Sequence, residues 1–308
     1  MTIEAVVPVV LSTVVAATPL IYAGLGELVA EKAGVLNLGV EGMMLVGAVA
    51  AFAVALGAES HTAAFLAGAG AGMAMALVFA FLTLTLQTNQ VATGLALTLF
   101  GIGVSAFAGR AFVGTPLPGL KPIDIPVLSD IPFIGALLFH YDAIVYLSLV
   151  LFALVQWFFT RTKAGLKMRA VGEAPGVAHA IGHPVVRMRY LAVLFGGAMA
   201  GVAGAYMSTA VTPMWVEGMT AGRGWIALAL VVFATWKPLR VLVGAYLFGG
   251  VTVMQLFAQG FGFSVPSEFL SMLPYAATIL VLVVICRDPK TILLNQPASL
   301  GKPFHPDA

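Results

Sequence analysis

The sequence predicts an all-α polytopic membrane protein, with about nine transmembrane helices and some of them broken or re-entrant. Two observations carry that prediction. Residues 60–109 contain no Asp, Glu, Lys or Arg. Hydrophobic residues make up 60% of the 308-residue chain and charged residues only 9%, whereas a soluble domain is about 25% charged. A water-soluble fold would have to bury the whole charge-free stretch, although charges normally recur at exposed turns. In hydrocarbon the backbone must satisfy its own hydrogen bonds, so the spanning elements are helices.

A span needs about 20 apolar residues. Apolar runs place helices near 5–26, 36–56, 64–86, 90–110, 142–160, 190–211, 222–236, 240–260 and 267–286. The first lacks the basic leader and cleavage site of a signal peptide, so it reads as a retained span. The run 222–236 is short and suits half of a broken helix whose other half lies near 212–221. All of this belongs to one transmembrane domain, 1–308.

Charge orients the spans. Arg161, Lys163, Lys167, Arg169, Arg187 and Arg189 face a single acid, Glu173, within 161–189. That segment is expected in the cytoplasm, with Lys237, Arg240 and the tail 287–308. The segment 111–141 holds Pro116, Pro118, Pro122, Pro126 and Pro132 and reads as an ordered external loop. Parity then puts the N-terminus outside and the C-terminus inside. Gly68 with Gly72, and Gly197 with Gly201, have the spacing that lets helices approach closely.

Several functions are disfavoured. A net charge of +2 gives no basic surface for nucleic acid. No G-x-x-x-x-G-K-[ST] occurs, so the chain carries no ATP site of that type. No G-x-S-x-G or other nucleophile–base pattern points to catalysis. His179 and His183 are four apart, but no third ligand accompanies them. Cys286 reads as a packing residue.

Polar groups at membrane depth are the candidate sites. Asn37 and Glu41 interrupt an apolar region among Gly34, Gly39 and Gly42, a pattern suited to a discontinuous helix. At i, i+4 they would share a helical face. Glu31 and Lys32 read as solvated charges of an inter-helix turn. Gln87-Thr88-Asn89-Gln90 links two charge-free spans, either as a plain turn or with its amides lining a pathway. Trp215, Glu217, Arg223 and Trp225 bracket a glycine-rich segment, either an interfacial belt or a gate in which a tryptophan stacks on a flat ring and Arg223 pairs with Glu217. In the basic segment Pro175 suits the first turn of a short helix and Gly182 its end. Such a helix on the membrane face suits docking of another protein, or binding of lipid headgroups by the arginines.

Glu31-Lys32-Ala33-Gly34-Val35-Leu36-Asn37-Leu38-Gly39-Val40-Glu41-Gly42 resembles the signature of ATP-binding-cassette importer permeases, in the branch for nucleosides and simple sugars. Thr162 to Pro175 resembles the cytoplasmic loop of that family, Met219 to Ala229 its M-T-x-G-R-G-[FW]-I-A-L-A segment, and Leu273-Pro274-Tyr275 the start of its last span. Ala174 departs from the usual Asn, and Gly182-His183-Pro184 from an apolar run.

The resemblance implies the type II importer permease fold, related to ribose and branched-chain amino-acid permeases. It implies residence in a bacterial cytoplasmic (inner) membrane. It implies a second permease subunit, a paralogue or the same chain, and ATPase subunits that bind ATP and Mg, so that no cofactor is held here. A substrate-binding lipoprotein or periplasmic protein would deliver the cargo, a nucleoside. Arg169, Gly172, Glu173, Pro175 and His179 would form the coupling element. Asn37, Glu41, Asn89, Gln90, Trp215, Glu217, Arg223 and Trp225 are the candidate pathway residues. A gradient-driven transporter would instead use Glu41 as its titrating carboxylate. A membrane scaffold would have no use for buried polarity.

Overall fold

The computed structural model describes residues 3–123, 134–260 and 295–305, with isolated positions between 269 and 283. The expected span 267–286, the Leu273-Pro274-Tyr275 stretch, Cys286, part of the external loop and the start of the tail fall largely or wholly outside them.

Eleven α-helices order the described chain: α1 Ile3–Lys32, α2 Val40–Ala58, α3 His61–Ala80, α4 Gln90–Gly109, α5 Ile134–Leu138, α6 Ala143–Arg161, α7 Lys163–Glu173, α8 Pro175–Ala180, α9 Val185–Tyr206, α10 Arg223–Phe233 and α11 Pro238–Gly260. Both α3 and α9 run on into a wider π-helical turn, Phe81–Thr85 and Met207–Val211. Seven helices among the described residues are long and apolar enough to cross a membrane.

The long runs form helices where the apolar composition demands them, and polar caps set their ends. Ser60 Oγ accepts from the Ala63 amide and Asn89 Oδ1 from the Ala92 amide. Asp142 Oδ1 accepts from the amides of Ile144 and Val145, which starts α6. Its Oδ2 accepts from the buried Tyr206 hydroxyl at 2.7 Å, which ties α6 to α9. Burial pushes the nearby Tyr141 phenol up to about 12, so it stays a donor, here to the Leu137 carbonyl at 2.8 Å.

Helices α1, α2, α3 and α9 form the centre. The two predicted glycine pairs turn out to face each other. A Cβ on Gly201 would collide with the Gly68 carbonyl, and one on Gly72 with the Gly197 carbonyl. Helix α2 joins the same contact: a Cβ at Gly47 would stand 2.5 Å from Gly201 Cα, and one at Gly68 would stand 3.1 Å from both the Gly201 and the Gly47 carbonyl oxygens. Helix α11 packs along α1, where Gly249 meets Ala17, and α6 closes the side through Tyr22, whose hydroxyl donates to the Ile144 carbonyl at 2.9 Å.

Two elements are interrupted at membrane depth. Residues 33–39 are non-helical and connect α1 to α2. Gly42 lies against Leu97 and Thr98 of α4, about 12 Å along from Gln90 at 1.5 Å per residue. Helix α2 therefore starts well inside the layer. Helix α10 has 11 residues, about 16 Å, half of a hydrocarbon core of about 30 Å.

The half-helix was expected, but its other half is not at 212–221. That segment is turns: Pro213 has no amide to donate, and Ala221, Gly218 and Gly222 have positive φ. It starts beside α4, where the Leu117 amide donates to the Pro213 carbonyl at 2.9 Å and Trp215 packs on Gly109, and descends to Glu41 at its end.

Because Gly201 meets backbone, Gly201→Ala should destabilise the protein by about 1–3 kcal/mol through overpacking. Gly70 has open space around its Cβ position, so Gly70→Ala should leave stability unchanged or raise it. Thermal unfolding of the two purified variants in detergent checks this; equal midpoints would mean that α3 and α9 do not pack on this face.

Candidate functional site

Glu41 sits in the first turn of α2 with only 5% of its surface exposed. Its Oε1 accepts from the Thr220 hydroxyl at 2.6 Å and from the Gly222 amide at 2.9 Å. Its Oε2 accepts from the Gly224 amide at 2.6 Å. Those amides are the first of α10, which no residue within α10 can satisfy. The carboxylate is thus the N-terminal cap of α10, supplied from another helix, and the positive end of the helix dipole faces it. Gly224 must be glycine, since a Cβ there would meet Glu41 backbone at 2.6 Å.

In front of α2, two side chains hold the non-helical backbone. The Leu36 amide donates to Gln90 Oε1 at 2.8 Å, and the Asn37 amide to Glu27 Oε1 at 3.1 Å. Asn37 Oδ1 accepts from the Gly39 amide at 2.9 Å, forming a local turn. Asn37 and Glu41 therefore share no helical face, because the helix begins only at Val40. Among the pathway candidates, Asn89 is exposed at the cap of α4 and Gln90 is buried.

Glu31 and Lys32 correct the solvated-turn expectation. Both lie in α1, which continues to Lys32. Glu31 is 1% exposed and accepts from the indole of Trp236, itself in a left-handed turn with Thr235. Lys32 is half-buried and donates to the Asn295 carbonyl at 3.1 Å. Arg189 likewise is no loop charge: it lies within α9 and is 1% exposed. Glu27, Gln90 and Trp236 thus anchor both ends of the broken elements. One oxygen each of Glu27 and Glu31 and the Gln90 amide nitrogen are buried without a hydrogen-bond partner among the described residues.

The four residues that bracket 215–225 separate. Trp215 is 1% exposed and packed on Gly109, whereas Trp225 keeps 37% exposure. Glu217 is exposed. Arg223 Nη1 donates to the carbonyls of Met219 at 3.4 Å and Thr220 at 3.3 Å, so it braces the turn that presents Thr220.

At the basic end, Thr162 caps α7, and Pro175 occupies the first turn of α8, as its position in the sequence predicts. Gly182, with φ +85°, ends it. Gly172 is buried against the Lys32 carbonyl. Arg169 and Glu173 are exposed and line, with Lys32, Leu166, Asn295 and Pro297, an open pocket of about 370 Å³. His179 packs its ring edge-on against Phe304, centroids 5.7 Å apart. Val177 and Ile181, 64% and 66% exposed, project apolar surface from α8. Sequence reading passed over them because two aliphatics in a short helix do not stand out in an apolar chain.

Comparisons with known proteins place this geometry. The family model described as branched-chain amino acid transport system / permease component matches residues 9–282. The chain is 43% identical over 96% of its length, and 96% of the relative's, to a protein of Haloferax volcanii named "Putative glucose ABC transporter permease protein". It is 32% identical to a guanosine ABC transporter permease protein of Bacillus subtilis, over 89% of this chain and 90% of that one. It is 29% identical to a nucleoside ABC transporter permease protein of Lactococcus lactis, over 90% and 91%.

Thr220→Val removes one neutral donor and should cost about 1 kcal/mol, whereas Glu41→Ala strands the α10 amides and should cost about 3 kcal/mol or more. With Glu41 gone the hydroxyl has no carboxylate to serve, so the double variant should melt with Glu41→Ala. Strict additivity in thermal unfolding would mean that the two residues do not act on each other.

Proposed function

The chain belongs to the family of branched-chain amino acid transport system permease components, and on that premise we propose that it is the membrane-spanning subunit of an ATP-driven importer whose cargo is a nucleoside. The observation that carries this reading is the Glu41 cap. Both carboxylate oxygens are engaged with Thr220, Gly222 and Gly224, so the acid between the broken helices serves the fold. A gradient-driven transporter would need that carboxylate free to titrate or hold a cation. An uncharged polar cargo needs donors and acceptors and no fixed charge along its path.

Under this proposal ATP and Mg are bound by separate ATPase subunits, which seat on α8. Its exposed Val177 and Ile181, with Arg169 and Glu173 nearby, suit a cleft with apolar walls and a polar rim. A second permease subunit completes the pathway. Helix α4 supports this: it packs almost wholly on α2 and leaves Leu95, Leu99, Phe100 and Phe107 exposed. A binding protein delivers the cargo from outside, and the basic segment 161–189 and the tail lie in the cytoplasm with the N-terminus outside. ATP binding closes the ATPases, moves α8 and re-orients the two permeases. Asn37, Asn89, Gln90 and Arg223 hold the broken segments around the path. Trp225 offers a partly exposed ring on which a base stacks.

A simple sugar is the second reading, favoured by the 43% identity to a relative whose printed name concerns glucose. Nucleosides carry a sugar too, so hydroxyl recognition serves either cargo.

In proteoliposomes holding the complete transporter, labelled guanosine should accumulate only with ATP, and excess glucose should not compete. Competition by glucose without guanosine uptake would move the reading to the sugar, and uptake without ATP would end it. Ile181→Asp buries a charge in the ATPase contact and should cut cargo-stimulated ATP hydrolysis about tenfold or more. Unchanged stimulation would remove α8 from the interface.

A further inference from the structure

The tail residues 295–305 do not hang free at the basic end. The Ser299 amide donates to the Gly172 carbonyl at 3.1 Å, and its hydroxyl to the same oxygen at 2.6 Å. The Ala298 amide reaches Glu173 Oε2 at 3.4 Å. Gln87, in the turn before α4, donates to the Phe304 carbonyl at 3.3 Å. The Phe304 ring packs on His179 of α8 and beneath the Arg189 guanidinium, 5.7 Å and 5.9 Å away.

Arg189 is the hub of this arrangement. It is 1% exposed and has its donors distributed among three partners. Nε donates to the Ala33 carbonyl at 3.1 Å, Nη2 to Ser299 Oγ at 2.9 Å and Nη1 to the Lys302 carbonyl at 3.3 Å. Ala33 opens the non-helical segment that leads to Asn37 and the Glu41 cap. A buried guanidinium needs all its donors met, so α9, the tail and the start of the break are held as one unit. Phe304 also packs, with Met188, against a small apolar cluster in which Val171, Ala178 and Val185 join α7, α8 and α9.

We propose that the segment 295–304 is a strap that carries displacement of α8 to the break at 33–39, with Phe304 and Arg189 as its positioning residues. The proposal rests on the reading of α8 as the element that receives the ATPase. The physical reason is reach. Helix α8 has six residues and shares only a small cluster with the transmembrane helices. The strap adds a second connection, from His179 through Phe304 and Arg189 to Ala33, and from Phe304 through Gln87 to the turn before α4. Coupling of this kind is carried by contiguous contacts that two sites both bias.

The test uses the complete transporter in proteoliposomes and reads cargo moved per ATP hydrolysed. Phe304→Ala and Ser299→Ala act at the tail and leave the membrane helices intact. Each should keep the ATPase subunits bound and hydrolysing while the transport-to-hydrolysis ratio falls about fivefold or more. Phe304→Tyr keeps the ring and should restore the ratio. An unchanged ratio in both alanine variants overturns the strap, as does loss of the ATPase from the purified complex, which would make the tail a docking element. Ile181→Asp keeps the two readings apart. If it uncouples while Phe304→Ala does not, the strap fails and the role of α8 stands. If neither uncouples, the role of α8 fails as well.

Discussion

One carboxylate in a water-poor place constrains the rest of this protein. Glu41 stands inside the layer, where an unpaired charge is costly. Helix α10 begins at the same depth with amides that its own residues cannot satisfy. Each is the other's solution: Oε1 takes Thr220 and Gly222, and Oε2 takes Gly224. Because the donors are backbone amides, the geometry allows little latitude. The backbones of α2 and α10 must touch, which demands glycine at 224, and Gly222 with φ +81° must turn the chain into the helix. The chain must also descend to that depth without a helix of its own, which accounts for the turns of 212–222.

Once α2 starts inside the layer, α1 and α2 cannot join by an ordinary surface turn. Residues 33–39 have to pass through apolar surroundings as two turns and a short irregular stretch; the amides of 33–35 return to α1 carbonyls, and those of Leu36 and Asn37 need other partners there. Glu27 and Gln90 supply them from α1 and α4. At its other end α10 finishes in a left-handed turn, and Trp236 closes it on Glu31. Glu27, Glu31 and Glu41 therefore form a series along the broken elements, each holding a segment that is not a continuous helix. The membrane makes such acids expensive, and the fold uses Glu27 and Glu41 for backbone amides and Glu31 for an indole, donors that no apolar side chain can satisfy.

Helix packing obeys a simpler rule. Lipid is as apolar as a leucine face, so burying leucine against leucine gains little, and close backbone approach gains more. Gly68, Gly72, Gly197 and Gly201 bring α3 and α9 together with no side chain between them. That leaves the longer apolar side chains of α3, α4 and α6 pointing outward, as Leu99, Phe107 and Trp157 do. At the basic end the rule changes again, since Arg189 joins α9 to the tail and to residue 33 by charge-assisted hydrogen bonds to two carbonyls and the Ser299 hydroxyl.

The sequence by itself determined the class, the helices and most of their limits. Uninterrupted apolar runs of about 20 residues select helices over barrel strands in hydrocarbon, and Pro175 marks where the short basic helix starts. The short helix at 223–233, the discontinuity before α2 and the close-approach spacing of the glycine pairs were all legible, because each depends on local composition or on a fixed spacing; that the two pairs meet each other was not. The partners of the polar side chains were not. Glu31 and Lys32 look like a turn because charge usually marks one, and only the fold reveals Trp236 and the tail beside them. Asn37 and Glu41 look like one helical face because their spacing permits it, and only the Glu27 and Gln90 contacts show that the helix starts after Asn37. Glu27 and Arg189 had no motif of their own. Which carboxylate meets which amide depends on residues 10 to 183 positions apart in the chain, and that distance is closed only when the helices pack.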